Sequence, residues 1–84
     1  MAITFYYRPQ CGLCKEIEEP LRAYAAQYGL PINSVNIDED RAAWTRYWDK
    51  IPVIEIDEGT IFYEPIPRQA LHDAIRRAAG RPTT

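Results

Sequence analysis

Two cysteines and a single histidine are the chain's whole stock of thiol and imidazole. A closed zinc site takes four ligands, and His72 stands far along the chain from Cys11 and Cys14, so these residues fall short of an intramolecular one. Long apolar runs are missing as well. No stretch approaches the roughly 20 residues of a membrane-spanning helix, and no charged segment followed by an apolar run and a cleavage site marks a secretory leader. Basic charge is not in excess either: ten Lys and Arg face twelve Asp and Glu, a net charge of −2, which leaves no positive field to hold nucleic acid. Internal repeats, linkers and low-complexity tracts are absent.

Together these absences point to a cytoplasmic protein with neither a membrane nor a nucleic-acid partner. A stable structural disulfide is not expected in that reducing compartment. With 84 residues the chain is read as one domain over residues 1–80 and a flexible tail over residues 81–84. A domain of this size buries only roughly 60% of the surface of its unfolded chain. Chemistry should therefore sit at the surface and use few residues.

The strands and helices follow from residue type and spacing. Ile3–Tyr7 is β-branched and aromatic and is stopped by Pro9, a strand (β1). Leu13, Ile17, Leu21, Tyr24, Ala25 and Tyr28 then recur at helical spacing and predict a helix (α1) with one buried face. Gly29 caps it, Pro31 stops it, and Pro20 predicts a kink within it. Ile32–Ile37 alternates as a second strand (β2). The acids Asp38, Glu39 and Asp40 suit the start of a short helix (α2, about Arg41–Trp48). Pro52–Ile56 (β3) and Thr60–Tyr63 (β4) flank a turn at Asp57-Glu58-Gly59 and form a hairpin. Pro67 is read as the first residue of a last helix (α3), which turns Leu71, Ala74, Ile75 and Ala78 inward and ends near Gly80. The class is α/β in the order β-α-β-α-β-β-α, and its first half requires a parallel pair with a right-handed crossover.

Cys11-Gly12-Leu13-Cys14 falls where the first strand meets the first helix. A C-x-x-C beside a β-α-β pattern reads as a thioredoxin-like redox motif. One helical turn brings residues i and i+3 within disulfide reach. Free N–H groups and the macrodipole at a helix start favour an anion, which marks Cys11 as the thiolate nucleophile. Cys14, one turn deeper, becomes the resolving thiol. Two small buried hydrophobes would explain the residue type but not this spacing at this junction. Of the flanking cations, Lys15 is read as solvated charge. Arg8 lies on the loop bordering the sulfur and is a candidate for substrate binding.

Ile51-Pro52-Val53 is the second signal. Proline cannot donate to a sheet ladder and belongs at a strand's first position. The sharper reading is a cis-proline opposite the cysteines, with the Ile51 backbone offered to an extended substrate.

These landmarks, Arg8-Pro9-Gln10-Cys11-Gly12-Leu13-Cys14, Val35-Asn36-Ile37-Asp38 and Ile51-Pro52-Val53, resemble those of the glutaredoxins, above all the short bacterial glutaredoxin-like proteins. The resemblance spans residues 3–79 in element order. It implies a thioredoxin-like fold with a four-stranded mixed sheet in spatial order β2-β1-β3-β4 flanked by helices, a cis peptide at Pro52, and disulfide exchange begun by Cys11. Gly12, Leu13, Ile51 and Pro52 join Arg8 as substrate-binding residues. No resident cofactor is expected. Glutathione enters as a candidate co-substrate, but the Gly-Gly-acid segment that helps glutaredoxins to hold it is replaced here by Tyr63-Glu64-Pro65-Ile66-Pro67-Arg68.

The function expected is a thiol–disulfide oxidoreductase acting on protein or small-molecule disulfides and recharged by a thiol reductant, either glutathione or a disulfide reductase. A monomer is expected. An iron–sulfur carrier of glutaredoxin type and a non-catalytic binding module are the rival readings. The rest of the chain is read plainly: Trp44 and Tyr47 as core packing, Trp48 as a candidate docking residue, and His72 as an exposed helical residue. Of Tyr6 and Tyr7, one is assigned to the core.

Overall fold

The computed structural model describes residues 3–56 and 59–80. Their elements are β1 (Ile3–Tyr7), α1 (Gly12–Tyr28), β2 (Ile32–Asn36), a 3-10 turn (Ile37–Glu39), α2 (Arg41–Tyr47), β3 (Val53–Ile56), β4 (Thr60–Tyr63) and α3 (Arg68–Ala79). The strands form one sheet in the order β2-β1-β3-β4. β1 pairs parallel with β2, and β3 pairs antiparallel with both β1 and β4.

Strand alternation sorts side chains to the two faces of the sheet. Ile3 and Phe5 of β1 stand opposite Ile56 and Ile54 of β3, and all four are buried in one cluster with α1 and α3. α1 contributes Cys14, Ile17, Leu21 and Ala25, and α3 contributes Leu71, Ala74, Ile75 and Ala78. The other face carries Tyr6 and Val53, a directly opposed pair, and α2 covers it. There the Tyr47 ring sits 4.7 Å from that of Tyr6 and 6.3 Å from that of Tyr63. Tyr7 remains on the α1 side, with its ring 5.7 Å from Phe5.

α1 runs unbroken through Pro20 to Tyr28. It closes where Gly29 takes the left-handed conformation, φ 68°, which costs glycine nothing. Gly29 N–H then donates to Ala26 O at 3.2 Å and Leu30 N–H to Ala25 O at 2.9 Å, satisfying carbonyls that the helix leaves free. α2 opens on Asp40, whose Oδ1 accepts the Ala43 N–H at 3.0 Å.

Several sequence expectations shift. Leu13 is not on the buried face of α1: it is exposed, because the stripe starts at Cys14 and a one-residue step turns a helix by about 100°. β2 ends at Asn36 instead of Ile37, since Asn36 Oδ1 accepts the Asp38 N–H at 3.0 Å and folds the chain into the 3-10 turn. Trp48 caps α2 instead of extending it, and Pro67 precedes α3 as its cap. His72 is partly enclosed, stacked 4.5 Å from the Tyr24 ring with Tyr28 beside it. The hairpin turn expected at residues 57–59 lies partly, and the tail at residues 81–84 wholly, outside the described residues. Among those described, no helix is long and apolar enough to cross a membrane.

Candidate functional site

Strand directions gather the site at one pole of the sheet. Parallel pairing aligns Tyr7 with Asn36, so the segments that follow β1 and β2 leave side by side. Antiparallel pairing places Val53 opposite both Tyr6 and Tyr63, which brings Ile51 and Pro52 and the end of β4 to the same pole. Crevices beyond the carboxyl ends of parallel strands are where open α/β sheets commonly bind ligands.

Cys11 is the N-cap of α1, with extended backbone, and its Sγ accepts the Cys14 N–H at 3.1 Å. It is half-buried, whereas Cys14 is 2% exposed and packs in the core. Both thiols are free. Burial, and next a hydrogen bond to Cys11, push the Cys14 thiol up from its ordinary range to about 12; the Arg8 backbone amide pulls more weakly the other way. One turn of helix thus separates a sulfur at the rim, which accepts hydrogen bonds, from a sulfur in the core that keeps its proton.

Cys11 opens onto a cleft of about 610 Å³, lined also by Arg8, Gln10, Asp38, Trp48 and Ile51. That is within the usual size of small-ligand sites, roughly 300–1,000 Å³. Arg8 Nε binds Asp38 Oδ1 at 3.0 Å, and the same guanidinium lies 5.0 Å from the centre of the Trp44 ring. Trp44 in turn stacks on Trp48 at 6.3 Å. The packing role expected for this aromatic group therefore applies to Tyr47 alone. Trp44 is 37% exposed, occupied on one side by Arg8.

Of the residues singled out in the sequence, Cys11, Arg8 and Ile51 meet in this cleft. Gly12 and Leu13 stand beside it, exposed on the first turn of α1. Pro52 is fully buried, and the Ile51–Pro52 peptide is cis, as is Glu64–Pro65. Lys15 faces a separate shallow groove with Glu16, Glu19 and Arg68. Gln10 and Asp38 were missed as site residues. Asp38 had a legible signal, since a parallel β1–β2 pair must bring the residues after β2 against the Arg8 loop. Among the described residues, no group of three or more His, Cys, Asp or Glu is placed to hold a metal ion.

Comparison with known proteins agrees with the fold. Residues 2–76 match the family model of the glutaredoxin-like domain (DUF836). The crystal structure of the structural-genomics target protein XcR50 from X. campestris is 30% identical, with TM-score 0.73, covering 90% of this chain and 97% of its own. Thioredoxin 1 from the thermophilic eubacterium Thermosipho africanus TCF52B superposes with TM-score 0.77 over 92% of each chain at 16% identity, a likeness of fold. The oxidised thioredoxin from Plasmodium falciparum, 17% identical, gives TM-score 0.65 over 94% of this chain and 81% of its own. No curated protein matches the chain in sequence.

Proposed function

The chain belongs to the glutaredoxin-like family, and from that premise we propose that it is a thiol–disulfide oxidoreductase that works through Cys11 and Cys14. The observation carrying this reading is the inequality of the two sulfurs. Cys11 caps a helix at the rim of a cleft and accepts the Cys14 N–H, while Cys14 is buried with its thiol pushed up to about 12.

In the proposed cycle the Cys11 thiolate attacks one sulfur of a substrate disulfide. An S–S bond forms to Cys11, the substrate's own S–S bond breaks, and the first substrate thiolate leaves. Cys14 then gives up its proton and attacks the Cys11 sulfur. That breaks the mixed disulfide, releases the second substrate thiolate and leaves a Cys11–Cys14 disulfide. Two electrons pass from the protein to the substrate, and an external thiol reductant returns them. Arg8 and Ile51 border the path to Cys11, and Leu13 stands exposed beside it.

The test is an equilibrium redox titration in thiol–disulfide buffers, with free thiols alkylated and counted by intact mass. Reversible loss of two hydrogens at one midpoint is the expected result. Cys11→Ser should abolish turnover, and Cys14→Ser should accumulate mixed disulfides on Cys11. If no intramolecular disulfide forms at any poise between roughly −120 and −300 mV, a range that spans known redox proteins, the reading fails.

A further inference from the structure

The cleft carries charge in an unusual way. Its cation, Arg8, is held by Asp38 on one side and lies against the Trp44 ring on the other. The groove next to it is lined by Asp38, Glu39, Asp40 and Arg41, an excess of acid. A carboxylate-bearing substrate approaching Cys11 therefore meets an engaged guanidinium and a negative flank. Apolar surface is arranged in the opposite sense. The large apolar side chains left exposed among the described residues are Leu13, Trp44, Trp48 and Tyr63. Leu13 is in the cysteine motif, Trp48 lines the cleft, Trp44 stacks on Trp48, and Tyr63 is paired with Val53, next to Pro52. All four stand at the pole that carries Cys11, and exposed apolar side chains gathered in this way mark an interaction site.

We propose that the Cys11 cleft selects cysteines of polypeptide segments with apolar or aromatic neighbours, seated against Trp48, and that Asp38, by occupying Arg8, turns away anionic disulfides such as that of glutathione. The proposal rests on the thiol–disulfide reading above and names its substrate class. Cleft volume does not separate the candidates, because a few residues of peptide and a glutathione half both fit. Charge does separate them: each glutathione half brings two carboxylates and one ammonium, whereas a capped apolar peptide brings none. Asp38 is then a specificity-determining residue. Trp48, 55% exposed, supplies the flat apolar face on which a neighbouring side chain can lie.

The experiment measures second-order rate constants for the reduced protein with four disulfides, by acid quench, alkylation and mass. The probes are hydroxyethyl disulfide (small and neutral), glutathione disulfide, and the symmetrical disulfides of capped Phe-Cys-Phe and Glu-Cys-Glu peptides. Each rate is divided by that of the same variant with hydroxyethyl disulfide, so that changes in sulfur reactivity cancel. The wild type should favour the Phe peptide over both anionic probes by about tenfold or more. Trp48→Ala should cut that preference by roughly three- to tenfold, the effect of removing one aromatic anchor.

Asp38→Asn removes an exposed charge and should raise the relative rates with both anionic probes by roughly three- to tenfold, a gain that fades with added salt. Adding Arg8→Gln should abolish that gain, which ties it to the released guanidinium. Equal wild-type rates for apolar and anionic probes, or no gain in Asp38→Asn, would overturn the proposal. A wild type inert even to hydroxyethyl disulfide would instead bring down the underlying thiol chemistry, and this inference with it.

Discussion

The buried thiol yields the most exacting prediction, because its effect on rate can be worked through. At pH 7 a thiol raised to about 12 is ionised about once in 10⁵ molecules, against about 3% for an ordinary cysteine of pKa near 8.5. The more basic thiolate is also the better nucleophile. With a Brønsted coefficient near 0.4–0.5, the 3.5-unit difference recovers about 40-fold of the roughly 3,000-fold deficit. Resolution by Cys14 at pH 7 should thus run slower than for an exposed thiol in the same position, by at most on the order of 100-fold. In the mixed disulfide the hydrogen bond to Cys11 weakens, but burial, the larger cause of the shift, persists.

The sign is unambiguous. A thiol whose pKa is raised gains its reactive form only as pH climbs toward that value. The resolving step should therefore quicken about tenfold per pH unit from pH 6 to about 10, with no plateau near 8.5. An aromatic disulfide that liberates thionitrobenzoate reads this directly in stopped flow. The first equivalent appears in a phase that scales with reagent concentration, and the second in a phase that does not. Cys14→Ser, which lacks the resolving thiol, supplies the background. A second phase that levels off between pH 8 and 9 would refute the reasoning and return Cys14 to the ordinary range.

The scaffold gives three further expectations, each checked by urea denaturation of the reduced protein. Leu21→Ala empties a position that is 0% exposed in the core and should cost about 2–5 kcal/mol, a large share of what a small domain holds. Gly29→Ala forces a β-carbon into φ 68° and should cost about 1 kcal/mol. Asp40→Ala removes the oxygen that caps α2 and should cost about 1 kcal/mol. Since Asp40 lies outside the Cys11 cleft, hydroxyethyl disulfide should report the same thiol reactivity before and after that change.

Much of this architecture was legible because local and global signals agree. β1 combines β-branched and aromatic residues with a proline stop, and α3 repeats its apolar residues at helical spacing up to a glycine. The C-x-x-C at a strand–helix junction could be placed for the same reason: strand, turn and helix start each had independent support. Leu13 was misread because leucine outweighs cysteine on a hydrophobicity scale, yet the stripe begins at Cys14, whose thiol packs like a small hydrophobe. His72 looked solvated because nothing local to α3 announces that Tyr24 and Tyr28 of α1 will flank it. Trp44 was hidden by the same limit, whereas Asp38 could have been placed from the parallel β1–β2 pair that the element order already required. Both meet Arg8, about 30 residues or more away in sequence, because β1 and β2 pair parallel and bring the two loops together.

The small size of the domain also shapes the proposed chemistry. Among the described residues no polar or charged side chain is buried; the interior beside Cys14 is apolar, and Asp38, the acid at the cleft, is exposed and engaged by Arg8. Among the described residues no buried carboxylate stands ready to take the Cys14 proton, so in the proposed cycle that proton leaves to water or to a departing substrate thiolate. In the proposed cycle the raised Cys14 thiol slows the resolving step at neutral pH and lengthens the life of the mixed disulfide on Cys11. While that intermediate lasts, the departed thiolate can attack it and reverse the exchange, so discrimination rests on how each substrate is held beside Cys11 both before and after the first attack. Under the proposal above, selection belongs to what surrounds Cys11 while the substrate is held there, the aromatic rim and the Arg8–Asp38 pair. A domain too small for a deep pocket can discriminate in this way with side chains that never leave its surface.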